Sequence, residues 1–507
     1  MSDQSGPAAH DDVRNLPDRP SLRHLKLEAK RRLAAGEFTT LHDAQLAVAR
    51  EHAMSSWAAL KEHIEASEAE QSHALAQVRW VFARYAGADG PGWTAPSGAE
   101  LSAHFTESML GLVSAETIAQ TLGGIAGRLR EDLVVTDAGV TRLRAKIPDL
   151  RVEATVEPQA PYRIDTLRLF PDEMTITDAR VSEPPSAGSG PVPARVPAIV
   201  EDAYAKFGLV GLTAAGDADG GVWAFSRGWA DLERNAPLGP DHQFPAGEIT
   251  ALVTATAVLR LVAEGAVALD DPANAHLRSL RLASDAVTVR ELLAHTGGVE
   301  SPASLWADSA GDVVDALGPV AGCSGPRGEY AHSDGGYAVL GQLIADVTGT
   351  PFALAATRLV LEPLGMADSW FPNEAPAAPE AARGYRLEAA DSLVPEPPRV
   401  FALQGAGGLW STGPDLVRFG SRWRTLLPGE LAEQALRPQA PPRDAPEETG
   451  LGWGLRRPMD LAGQVGTGPG WSASLVMRPS TDRTMVVLTN RLFPVLAVNV
   501  DLILATA

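Results

Sequence analysis

Apolar positions recur every three or four residues at the start of the chain. Leu22, Leu25 and Ala29 form one stripe, and Ala44, Ala47, Val48, Trp57, Leu60 and Ile64 continue it. This spacing predicts packed helices over residues 21–73. Thr40 or Asp43 can cap the second helix and Ser56 the third. Residues 1–20 are polar and proline-bearing, which predicts a disordered tail. From residue 74 the texture changes. Residues 75–85 read as a long helix, and 104–110 open a second helical region running to about 129. Residues 133–135, 152–156 and 164–170 then read as strands. Helices first and an antiparallel sheet afterwards predict an α+β domain over 74–185. The Ser/Gly/Pro-rich stretch that follows predicts a linker at 186–195. Beyond it, strands are expected at 208–230 and 472–490, with a closing helix at 495–504.

Composition narrows the function classes. The chain has 507 residues, room for several domains, and its 45% hydrophobic content is ordinary for a globular protein. The net charge of −20 argues against a nucleic-acid partner or an anionic membrane surface, since both need a basic face. One cysteine, Cys323, excludes an internal disulfide and a multi-cysteine zinc site. His242, His276, His295 and His332 lack zinc-motif spacing, so neither a metal nor a cofactor is expected. The first residues lack a basic segment followed by an apolar core, and no apolar run approaches membrane-spanning length; the expectation is a cytoplasmic protein.

Residues 196–507 carry an ordered series of motifs. Phe244-Pro-Ala-Gly-Glu-Ile-Thr-Ala251 precedes an apolar helix and then E-G-x-x-x-L-D-D-P. T-V-R-E-L-L-A-H-T-G-G-V starts at Thr288, and Y-A-H-S-D-G-G-Y-A-V-L-G at Tyr330. E-P-L-G-M, A-G-G-L-W-S-T, G-L-G-W-G and G-T-G-P-G-W-S follow, the last from Gly466. Together they resemble the serine β-lactamase and penicillin-binding-protein superfamily, in its class C and esterase branch. The resemblance implies an α+β domain: an antiparallel sheet beside a helical subdomain, with a cleft between them. Residues 74–185 resemble an NTF2-like or cystatin-like cone. The D-A-Q-L-A-V-A-R-E-H-A segment from Asp43 resembles a helical module found beside bacterial ankyrin repeats, which implies a docking or self-association element.

The family writes F-x-x-G-S-x-x-K at its nucleophile. A serine is acylated there, and a lysine one turn later helps take its proton. Here those places hold Glu248 and Ala251, and no lysine follows Lys206. In the second element His332 falls on the tyrosine place and Asp334 on the asparagine place. In the third, a shortened match to H-T-G-x-x-P-G-F-S puts Gly466 on the leading His or Lys, followed by Thr467 and Gly468. Thr467, Gly468 and Gly407 are expected at the pocket.

These substitutions favour a pseudoenzyme whose cleft binds a small molecule or peptide. The alternative is an active ester or amide hydrolase with a rewired site. Its candidates are Glu248, His332, Ser333 and Asp334, with backbone amides at residue 248 and after Thr467 as an oxyanion hole. A third reading places activity in residues 74–185. Glu248 also suits a helix start, where the dipole favours a carboxylate, and His295 is expected to be structural.

Overall fold

The structure is a computed structural model. It describes residues 22–52, 54–61, 72–88, 90, 92–112, 118, 122–123, 125–148, 150–171, 184–218, 221–302, 305–375, 380–389, 392–440, 448–493 and 495–506. The chain folds as two units, residues 1–172 and 173–507.

The first unit opens with α1 (Leu22–Ala34) and α2 (Leu41–Glu51). Thr40 caps α2 by accepting the Asp43 amide at 3.1 Å, and Ser56 accepts the Ala59 amide at 3.1 Å. Leu25, Ala29, Ala44, Val48 and Leu60 are buried together. Ile64 and the tail 1–20 lie outside the described residues. Next come α3 (His73–Tyr85), α4 (Gly98–His104) and α5 (Glu107–Leu112). The second helical stretch is broken at Phe105, whose backbone is extended, and Thr106 starts α5 by accepting the Met109 amide at 3.1 Å. An antiparallel meander follows: β1 (Val134–Ala138), β2 (Arg142–Ile147), β3 (Leu150–Val156) and β4 (Ile164–Pro171), in that order.

The second unit is built on one large antiparallel sheet. Its first strand, β5 (Ser186–Ser189), corrects the expected linker. These four residues pair with β7 (Gly221–Asp231), Ser186 opposite Arg227 and Ser189 opposite Ala224. An edge strand needs only backbone donors and acceptors, so small polar residues serve as well as branched ones. α6 (Val196–Phe207) and β6 (Gly211–Ala218) lie between β5 and β7 in the chain. The helices that position the cleft are α7 (Thr250–Ala263), α8 (Asp334–Thr348) and α9 (Gln404–Gly407), which pack against one another. Ala236–Pro237 adds a short strand against β7, and the other strands are β8 (Glu448–Thr449), β9 (Gly454–Arg456), β10 (Leu461–Gly468), β11 (Trp471–Met477) and β12 (Thr484–Thr489). The sheet order is β8-β9-β10-β11-β12-β6-β7-β5. The last helix, α10 (Val495–Ala505), lies on β11 and β12. Buried Asn499 anchors it by donating to the Ser474 and Met485 carbonyls at 3.0 and 3.1 Å.

Sheet and helices meet where β10 passes the short 3-10 turn Gly247–Ile249 that leads into α7. That turn is pinned from behind: the Ala246 amide donates to the Leu409 carbonyl at 2.8 Å, and the Leu409 amide donates to Thr250 Oγ1 at 3.1 Å. Two glycines make the approach possible. Gly247 has φ +52, and a Cβ there would lie 2.5 Å from the Trp471 ring. A Cβ on Gly466 would lie 2.3 Å from the Ala246 carbonyl oxygen and 3.1 Å from the Glu248 nitrogen. Gly466→Ala is therefore expected to cost about 1–3 kcal/mol through overpacking. Gly429→Ala, with open space around its Cβ, should stay within about 0.5 kcal/mol. Urea denaturation of the two variants checks this.

Candidate active-site cleft

Glu248 sits in the middle of the Gly247–Ile249 turn, half-buried. Its Oε2 accepts the Thr467 amide of β10 at 3.1 Å, and the dipole of its own backbone amide also favours the ionised carboxylate. Two backbone amides from two different elements thus act on one anion. Burial pushes the Glu248 carboxyl above the ordinary range. The two amides pull it back, the negative charge of Asp334 raises it, and His332 lowers it. Ala251, on α7, is 4% exposed and packs with the apolar core.

The second element begins at the start of α8. Asp334 is buried, and its Oδ1 lies 3.4 Å from His332 Nε2. The His332 side chain is 45% exposed. His332 and Asp334 thus bear on Glu248 through their charges, whereas the Thr467 amide touches it directly. Ser333 does not join them as a nucleophile, and here the expectation is corrected. Its buried hydroxyl caps α8, accepting the Gly336 amide at 2.8 Å and donating to the Val299 carbonyl at 2.7 Å. A hydroxyl committed to a helix cap and a carbonyl is not available to attack.

The third element moves by two residues. β10 and β11 form a hairpin in which Gly468 pairs with Trp471 across Pro469 and Gly470. With Pro469-Gly470-Trp471-Ser472 on the P-G-F-S of the motif, no deletion is needed. Gln464, Val465 and Gly466 then stand on H-T-G. Geometry agrees: Thr467 donates to position 248, whereas Pro469 has no N–H to donate. Gly466 is therefore the glycine of the element, and Gln464 holds the place of the cation. The Gln464 Nε2 donates to the Gly452 carbonyl at 3.3 Å. The ungapped count Pro469 to Ser472 was the signal available in the sequence.

A cleft of about 630 Å³ opens beside these groups, lined by Glu248, Leu305, Trp306, Thr467, Gly468 and Leu492 among others. Arg386, Glu396 and Arg491 contribute the remaining charges. Gly407 is not part of it, correcting the expected pocket. It is buried in α9, where a Cβ would lie 2.3 Å from the Phe401 ring. Trp306 lines both this cleft and a smaller cavity of about 200 Å³, which Trp410 and Trp471 also line. Trp370 is 44% exposed and donates to Gln243 Oε1 at 3.2 Å. Among the described residues no cluster of metal-ligating side chains occurs.

His295 holds the second element in place. Its φ of +56 is left-handed, and its Nδ1 accepts the Ser333 amide at 3.1 Å. The ring lies between Tyr337 and His332, with centroids 4.8 and 4.7 Å away. Burial, reinforced by His332, pushes its pKa down to about 3. A neutral imidazole that must charge on unfolding favours the folded state above its unfolded pKa of about 6.5. That contribution is lost as pH falls toward about 3. His295→Asn tolerates the left-handed backbone and keeps an acceptor for Ser333. Between neutral pH and about pH 4.5 the wild type should lose roughly 3 kcal/mol more stability than this variant. Denaturant titrations at the two pH values check it.

Known proteins extend this description. The β-lactamase family model matches residues 196–507. Esterase EstB of Burkholderia gladioli is 31% identical over 313 residues, covering 52% of this chain and 78% of EstB. A penicillin-binding protein from Bacillus halodurans superposes with a TM-score of 0.54 at 20% identity, covering 62% of this chain and 100% of that one. The octameric penicillin-binding-protein homologue from Pyrococcus abyssi gives 0.52 at 24% identity, covering 61% and 77%. The two solved structures match the fold, and the family model spans the Glu248 turn, α8 and the β10–β11 hairpin in one match. With that match covering more than half of its length, the chain belongs to the β-lactamase family.

Proposed function

We propose that this chain is a ligand-binding member of the family that does not run acyl-enzyme chemistry. The observation that carries this reading is the Glu248 carboxylate at the nucleophile position, held by the Thr467 amide at 3.1 Å. A carboxylate there is a poor acyl acceptor, because any anhydride formed would collapse in water. Ala251 one turn later offers no proton acceptor, and no lysine follows Lys206. The ligand class is a small molecule or peptide that fits the aromatic-lined cleft. Esterase EstB indicates the kind of chemistry from which such a cleft descends. The NTF2-like character of residues 74–185 and the docking role of the N-terminal helices belong to the same proposal, as places for a partner or a second copy.

One observation favours the second reading, a hydrolase with a rewired base. His332 and Asp334 lie 3.4 Å apart beside a carboxyl whose pKa is raised, and such groups suit general acid–base work. The two readings separate in one experiment. Wild type, Glu248→Ala and His332→Ala are assayed on chromogenic esters and β-lactams. Intact mass is recorded after treatment with a fluorophosphonate and with penicillin. The expected result is background turnover and no adduct for all three proteins. Wild-type turnover that falls about a hundredfold or more in either variant would instead establish the rewired site.

A further inference from the structure

The Glu248 carboxylate makes an unusual contact for a surface cleft. It reaches across to accept the Thr467 amide of β10 at 3.1 Å, and the Glu248 amide, which faces the same strand beside Gly466, also favours its ionised form, so a side chain of the same turn occupies the paired-amide site. The donors themselves are fixed by backbone. One belongs to the turn pinned through Ala246 and Thr250, the other to a strand in the middle of the sheet's hydrogen bonding. The occupant is different in kind, because a glutamate side chain can rotate out of the site. The rest of the cleft indicates what would replace it. Leu305, Trp306 and Leu492 give it apolar walls, and Leu492 is 60% exposed. Arg491, buried in the same wall, donates to the Phe207 and Gly208 carbonyls at 3.0 and 2.6 Å. Glu396 of the same lining pairs with Arg386 at 3.1 Å, and among the described residues no carboxylate pairs with Arg491. A cation in the wall favours an anionic guest over a neutral one.

We propose that the amides of Glu248 and Thr467 form an exchangeable anion site, that the Glu248 carboxylate is its tethered occupant, and that the site takes the carboxylate of a small aryl acid when that side chain leaves. This deepens the ligand-binding reading by naming the ligand class, and it rests on that reading for the cleft being a binding site. At the two amides one carboxylate replaces another, so the donors stay satisfied while the displaced Glu248 carboxylate regains solvent. Protonation loosens the occupant, since a neutral carboxyl is a weaker acceptor than a carboxylate. Burial raises the Glu248 pKa, whereas a soluble aryl acid keeps a pKa near about 4. Between those two values the guest is still ionised while the occupant is neutral. Wild-type affinity should therefore rise as pH falls through that window.

The test is calorimetric titration of the full chain with phenylacetate at about pH 7.5 and about pH 5. Three proteins are compared: wild type, Glu248→Ala and Glu248→Gln. The proposal expects Glu248→Ala to bind at least about tenfold more tightly than wild type at the higher pH, with the gap narrowing at the lower pH. Glu248→Gln keeps the volume and an oxygen acceptor without the charge, so it should bind more tightly than wild type and show a smaller pH dependence than wild type over the same range. Equal affinities for all three proteins at both pH values, or no binding by either variant, would overturn the proposal. Circular dichroism of each variant establishes that it is folded before the comparison is made. Failure here is distinct from failure of the non-acylating reading, because that one is decided by intact mass and turnover of the wild type. An acyl adduct on the wild type would overturn the proposed function while leaving the titrations to decide the anion site.

Discussion

The close approach of β10 to the Gly247–Ile249 turn is the constraint on which the cleft depends. Two backbones meet there with no room for a side chain between them, as the 2.3 Å that a Gly466 Cβ would leave to the Ala246 carbonyl makes plain. That contact brings the Thr467 amide to bear on residue 248. It also couples the sheet to the helical subdomain, because the turn continues directly into α7. A frame built from backbone and glycine does not depend on which side chain stands at position 248. The site can therefore hold a carboxylate at that position and retain its geometry.

Opposing effects set the energetics of that carboxylate. Burying a carboxylate costs free energy unless hydrogen bonds offset it. Here two amides act for the ionised form, while desolvation and the charge of Asp334 act against it. Desolvation is the largest of these effects, which is why the pKa rises although the amides oppose it. A lysine one turn away would have stabilised the anion directly. The position holds Ala251 instead, packed in the core at 4% exposure. Its methyl group contributes burial and no charge, so the electrostatic burden falls on backbone dipoles and on His332.

Much of the second unit was legible because its motifs mark places where backbone geometry leaves little choice. Gly247, Gly466 and the Pro469-Gly470 turn are such places, and each is visible in the sequence. The errors have a common physical source. Ser333 reads as a hydroxyl beside a histidine, and only the fold shows it spent on the Gly336 amide and the Val299 carbonyl. Residues 186–189 have the composition of a linker, yet an edge strand makes no demand on composition. β2 escaped notice because Arg142, Arg144 and Lys146 alternate with its buried Leu143, Ala145 and Ile147; the period of two is present, but charge conceals it. Gly407 looked like a pocket glycine, and the Phe401 ring covers it. In each case the missing information was a tertiary neighbour.

His295 and His332 show how far residue type is from role. Their ring centroids are 4.7 Å apart. One is buried, held neutral, and accepts a hydrogen bond from the Ser333 amide. The other is largely exposed and lies beside Asp334. The first gives the second its position, because the amide it holds belongs to the residue after His332. Desolvation makes His295 a dependable acceptor by removing its charged form, whereas the His332 side chain stays 45% exposed to solvent. The chemistry open to this cleft is thus divided by burial rather than by residue identity. The same division applies at Glu248, where a carboxylate that would be an ordinary helix-start residue in water becomes the occupant of an anion site once two elements close around it.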